Sequence, residues 1–434
     1  ASARFSATIT AYLWQAADDA NNDGVPDSGA NITNNGVVPG FAWSTTLSPL
    51  NTAPYFTPAA GVLGTLTGTT TIAQASFAAS QASVSNLAYG EVGSFQMLAS
   101  AANYLNTPGV TVSGISVNAA GAPTTIGRFY PDHFTLVSGS VTPACAGGAF
   151  TYMDQAALGV SYVVQARNTA NALTANYGVG YAVGTVSLMA ENNDSGLDLS
   201  ARLPLPPSAW TAGAHTVNTS TASFARAAAP DGPFDTLQLG VRVTDPDGAV
   251  LTLRNMNPGT SGACGAGCTG AAIGGTTKVR LGRLRLSNTS GSPLISMPIP
   301  VQAQYWNGAG FVQNTLDGCT TLAVANVGLG NYQRNLNAGE TVVSGGGAFN
   351  AGIGALRLSA PGAGNNGSVD VSVNLSTVPA GAACTPGMSL STAANKTYLQ
   401  GAWCGAPANR DPSARATFGV YRGSDQLIYQ RENF

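Results

Sequence analysis

Nine residues near the start of the chain, Asp19-Ala-Asn21-Asn-Asp23-Gly-Val25-Pro-Asp27, carry its sharpest chemical pattern. Oxygen-bearing side chains stand at the first, third, fifth and ninth places, with a glycine at the sixth. Calcium takes about six to eight oxygen ligands, and alternate side chains of a tight loop converge on one point while glycine permits the turn. In that reading Asp19, Asn21, Asp23 and Asp27 supply side-chain oxygens and Val25 its carbonyl. The twelfth place is Ala30, where a helix-flanked calcium loop carries a bidentate glutamate, and no helical pattern flanks the stretch. The same residues also suit a solvated Asx-rich turn between two strands. Glu191 to Asp198 forms a second, weaker Asx cluster.

Catalytic patterns are missing. There is no G-x-S-x-G elbow and no G-x-x-x-x-G-K-[ST] loop. Asp132 and His133 are adjacent, and neighbours in an extended chain face opposite ways, so no relay is expected between them. His215 lies in a Gly/Ala/Thr context that reads as the start of a strand. Glu91, between Gly90 and Gly93, suits a carboxylate held by backbone N–H groups or by an arginine at a domain junction, with Arg128 as the candidate. Tyr305, Trp306 and Phe311 form an aromatic hairpin tip that either stacks on a sugar or packs on its own sheet. The chain reads as a non-enzyme.

The six cysteines form an even set in a composition typical of exported proteins, which favours disulfides over metal thiolates. Cys264 and Cys268 suit a local bridge across a Gly-rich loop, and Cys384 with Cys404 closes another short loop. Cys145 and Cys319 are left to each other by elimination, among the fifteen connectivities that six cysteines allow. The only histidines, His133 and His215, lie near none of them, which argues against zinc.

Only 9% of the 434 residues are charged, against roughly 25% in ordinary domains, and the formal net charge is -2. Lysine occurs at 278 and 396 alone, and no basic patch exists to neutralise a phosphate backbone, so nucleic-acid binding is set aside. No apolar run approaches the eighteen or so residues that cross a bilayer, so no transmembrane segment is expected. The start lacks a basic and then apolar leader, and Ala1-Ser2-Ala3 is compatible with the small-residue end of a removed segment, so the chain reads as mature or truncated.

Short runs of alternating apolar and polar residues, separated by Gly, Pro, Asn and Ser, predict an all-β chain of two or three tandem antiparallel β-sandwich (Ig-like) domains, disulfide-stapled and with little helix. The expected divisions are 1–127, an N-terminal β domain with the Asx-rich loop; 128–277, a central sandwich ending in the Gly-rich CxxxC loop; and 278–434, a C-terminal β domain. The Gly-rich stretch Asn257 to Thr277 reads as loop or linker. Thr71 to Ser85 is the one stretch with arguable helical character. Thr417 to Arg422 and Gln426 to Arg431, around the turn formers 423–425, predict a closing β-hairpin.

Seven stretches carry a family resemblance: 415–434 (RATFGVYRGSDQLIYQRENF), 87–97 (LAYGEVGSFQM), 127–134 (GRFYPDHF), 150–155 (FTYMDQ), 173–177 (LTANY), 278–286, and 300–314 (PVQAQYWNGAGFVQN). In this order the chain resembles the MSHA-pilus biogenesis protein Q family. The resemblance implies an extracellular, cell-surface protein of a Gram-negative bacterium, with pilus components or surface glycans among its partners. The Asp19 to Asp27 wording separately resembles the calcium-binding repeats of thrombospondin type 3. β proteins usually blunt exposed edges with lysine and proline. A long β chain almost without lysine is therefore expected to join copies of itself into a filament or sheath, with the terminal strand Arg4 to Trp14 as one joining edge. The alternative is a monomeric adhesin for a glycan or surface.

Overall fold

The computed structural model describes residues 3–419 except 24–26, 28, 182 and 205–207, with the backbone alone for 219–221. Among them the chain is all-β: strands joined by loops and by three-residue 3-10 turns, with no α-helix. Alternation places the side chains. In Leu158–Arg167, Leu158, Val160, Tyr162, Val164 and Ala166 are buried and the residues between them half-exposed, as a pleated strand with one face inward requires.

Three buried clusters lie between paired sheets. In the N-terminal unit a three-stranded sheet around Gln81–Tyr89 faces a five-stranded one around Gly93–Ala102. Tyr89, Phe95 and Phe129 pack there with ring centres 4.4 to 5.9 Å apart. The central unit faces a four-stranded sheet containing Phe234–Thr244 with a five-stranded sheet containing Leu158–Arg167. The C-terminal unit closes a five-stranded sheet around Met297–Trp306 over a four-stranded sheet around Gly367–Val373.

Several sequence expectations change. Asn257 to Thr277 is loop only as far as Gly270, because Ala271–Arg280 is an inner strand between Phe234–Thr244 and Phe150–Tyr152. Gly270, just ahead of this strand, lies against neighbouring backbone: a Cβ there would stand 2.6 Å from the Val241 carbonyl oxygen. Thr71 to Ser85 holds a two-residue strand, a 3-10 turn and the start of Gln81–Tyr89. The terminal strand Phe5–Thr10 pairs inside its own chain with Gln81–Tyr89. Of the expected closing hairpin, Ser413–Phe418 is a strand paired antiparallel with Gly367–Val373, and Phe418 is fully buried. The turn and second arm of that hairpin lie outside the described residues.

The central and C-terminal sandwiches have no linker between them. The chain leaves one sheet at Arg280 and enters the next at Gly282, with Leu281 buried between. Phe150 and Tyr152 hydrogen-bond into the central sheet through their backbone, yet their rings pack in the C-terminal core.

Candidate functional site

The residues that could do chemistry fall at two junctions, one loop, one hairpin tip and one cavity. At the first junction Glu91 is buried and accepts three backbone N–H bonds, from Val92 (2.8 Å), Ala175 (2.8 Å) and Asn176 (3.1 Å). Burial pushes its pKa up, and those N–H groups oppose the shift. The arginine candidate does not join it. Arg128, on Ile126–Phe129, faces the central unit, forks onto Asp247 (2.7 Å for Nη2 to Oδ2) and lies over the Tyr181 ring at 5.1 Å.

The second junction is built from side chains that the sequence left unconnected. Tyr152 is buried and donates its hydroxyl to Asp317 (2.9 Å), while the Asn314 amide donates to that hydroxyl (2.8 Å). Arg280 donates to the Asn314 carbonyl oxygen (3.0 Å), forks onto Asp235 (3.0 Å twice) and stacks over Tyr305 at 4.2 Å. Burial first, and the Asp317 charge second, hold the Tyr152 phenol well above its ordinary pKa, so it stays a donor. Asp317 also takes the Cys319 and Thr320 N–H groups and the Thr320 hydroxyl. Beside this network the Cys145–Cys319 disulfide ties the two units across 174 positions. Arg226 adds a further tie, donating to the carbonyls of Tyr398, Gly282 (3.1 Å) and Gln400 (3.3 Å). The other disulfides are Cys264–Cys268 and Cys384–Cys404, and no cysteine is free.

The Asp19 to Asp27 oxygens are turned onto their own loop. Asp19, itself buried, and Asn21 both accept from the Asp23 N–H (3.1 and 3.0 Å), and Asp27 accepts from the Ala20 N–H (2.8 Å). Val25 lies outside the described residues. Among the described residues no three His, Cys, Asp or Glu side chains gather as a metal-holding group.

Tyr305, Trp306 and Phe311 are half-buried on the hairpin formed by Met297–Trp306 and Phe311–Gln313. Trp306 and Phe311 meet edge to face at 5.5 Å and pack on the central core, and Arg283 lies over Phe311 at 3.9 Å. Two of the three rings thus carry a guanidinium on a face.

Both histidines have partners. Asp132 sits in a bend ahead of His133–Thr142, so it turns back and its carboxylate meets His133 Nδ1 at 2.8 Å, contrary to the expectation from an extended chain. His215 is buried, stacked on Tyr162 (5.8 Å, 7° between planes), with Nε2 2.8 Å from the Ser208 hydroxyl. Ser208 carried no sequence signal, since its pairing with His215 is set by the tertiary fold.

One sheet edge is wholly exposed and uncharged. Among the described residues Thr111–Ile115 is the last strand of its sheet and pairs only with Gly93–Ala102, and all five of its residues are exposed. From Val92 to Gly127 the sequence holds no charged residue and no histidine.

Comparison with known proteins follows the same ground. No curated protein matches the chain. Among solved structures, the crystal structure of the I9–I11 tandem from titin aligns at 6% identity over 87% of this chain and 90% of its own, with a TM-score of 0.21. Residues 91–271 match DUF6701, third domain, and residues 280–433 match DUF6701, fourth domain, together well over half of the sequence. The first match opens at Glu91, and the two meet across the Arg280 junction. The chain therefore belongs to the DUF6701 family, of which it carries the third and fourth domains.

Proposed function

We propose that this chain is an extracellular cell-surface structural protein that joins copies of itself, edge to edge, into a filament or sheath, in the company of pilus-associated surface proteins. The observation that carries the reading is the open strand Thr111–Ile115. Among the described residues no strand lies beside its outer N–H and C=O groups, and an unpaired edge is a template for another strand. Val110, Val112, Ile115 and Val117 are exposed along it, and no charge or lysine defends it. The partner that fits is the outer edge of Phe5–Thr10 in a second copy, the rim strand of the other N-terminal sheet, beyond which Leu13 and Trp14 are exposed. Pairing two different edges is a head-to-tail contact, which repeats into an open assembly unless it closes into a ring. Three disulfides among the described residues and two linker-poor junctions suit a protein that keeps its fold in an oxidising, extracellular setting. Calcium at Asp19, Asn21, Asp23, Val25 and Asp27 is part of the proposal through the spacing of their oxygens, and it would stiffen the loop that follows Phe5–Thr10. An adhesin reading has less behind it, because arginines cover faces of Tyr305 and Phe311.

Electron microscopy of the unreduced protein tests this. Regular filaments or tubes are expected from the native chain, thinned or lost on chelation. The pair Val112→Lys and Ile115→Lys, which puts two charges on the edge without touching a core residue, is expected to leave single particles of unchanged circular dichroism. Dispersed native particles, or filaments indifferent to the two lysines, would remove the proposal.

A further inference from the structure

A cavity of about 640 Å³ opens between the two sheets of the central sandwich. Val186 and Leu188 of Thr185–Asn192 line it from one sheet, and Tyr162, Trp210 and His215 line it from the other, with Ser208 at its rim. Volumes of about 300 to 1,000 Å³ with mostly apolar walls and a few polar groups are typical of small-molecule sites. The aromatic floor is fixed by contacts of its own. Trp210 donates its indole N–H to the Gly184 carbonyl (2.7 Å) and meets His215 edge-on at 5.5 Å, while His215 stacks on Tyr162.

Two features set the chemistry. Among the described residues no Asp, Glu, Lys or Arg lines the cavity, and burial lowers the His215 pKa, so the site is neutral at pH 7. A carboxylate or ammonium entering it would be desolvated without a counter-charge, which is strongly unfavourable. Second, His215 Nδ1 is buried and has no hydrogen-bond partner among the described residues, an unfavourable condition for a buried polar group. No carboxylate reaches that nitrogen, so the Ser208–His215 pair lacks the third member that orients a nucleophile's base. A ligand group is the natural partner. If Ser208 donates to Nε2, Nδ1 bears the proton and needs an acceptor; in the other tautomer it needs a donor. A hydroxyl serves both.

We propose that this cavity is a binding site for an uncharged, ring-bearing molecule held by one hydroxyl group at His215 and by apolar contact with Val186, Leu188 and Trp210. The proposal is independent of assembly. Fluorescence titration of the full chain with 2-naphthol, naphthalene and 2-naphthoate tests it. Saturable one-to-one binding is expected for 2-naphthol, weaker by at least about fivefold for naphthalene, which lacks the hydrogen bond, and undetectable for 2-naphthoate. Val186→Trp, which fills the cavity, is expected to abolish 2-naphthol binding, and His215→Phe to reduce it to the naphthalene level. In the unmutated protein, nuclear Overhauser contacts from the bound ring to the Val186 methyls and the Trp210 indole locate the ligand without reliance on a variant. Binding of 2-naphthoate as tight as that of 2-naphthol, no saturable binding at all, or saturable binding without those contacts would each overturn it.

Discussion

Replacing Cys145 and Cys319 together by alanine is expected to lower the stability of the coupled central and C-terminal units by about 5 kcal/mol, the chain-entropy value for a loop of this length. The bond closes 174 residues, so its loss frees a large unfolded ensemble, and the 3-10 and strand segments around it lose their anchor. Urea unfolding of the unreduced protein should show a much lower midpoint for the variant. Limited proteolysis should cut first within the loop between Thr142 and Phe150, whose Cys145 is buried only because the bond and the neighbouring core hold it. An unchanged midpoint with an unchanged slope would mean that side-chain packing alone carries the junction.

Asp317→Ala is expected to cost about 3–5 kcal/mol, the range for removing one partner from a buried charged network. Asp317 has no exposed surface, and its loss strands the Tyr152 hydroxyl, the Thr320 hydroxyl and two backbone N–H groups in the interior. Asp317→Asn keeps the shape and one acceptor oxygen, so its cost should be markedly smaller. The Asp317 and Cys145–Cys319 effects should be strongly non-additive in a double-mutant cycle, because both fasten 145–152 to 317–320. Additivity within about 0.5 kcal/mol would show that the two fastenings act on separate units.

The strands were legible wherever one face was apolar and the other polar, as in Leu158–Arg167, because a period of two has a single structural meaning. Ala271–Arg280 was not, because AAIGGTTKVR has two glycines and no clear alternation, and its place is set by strands on both sides. Asp132–His133 failed for a local reason: a bend one residue ahead of a strand cancels the face rule. The junctions were half visible. Glu91, Arg128, Tyr152, Arg280 and Asn314 all stand in stretches that carry the family resemblance, and the structure gathers those stretches at the two junctions. Which pairs form was beyond the sequence, since Glu91 meets residues more than eighty positions away and Tyr152 meets one 165 positions away. The cavity at His215 was likewise hidden, because the space between two sheets is a property of their separation.

The bond between Cys145 and Cys319 also decides where a pull on this molecule goes. Tension drawn along the backbone reaches one sulfur and leaves by the other, so everything from 146 to 318 is slack in the mechanical sense. At roughly 3.5 Å per extended residue, about 600 Å of contour is locked away from any stretching force. Pulled from its two ends, the chain can lengthen only through the stretches outside the bridge, and a reductant, not force, is the key that releases the rest.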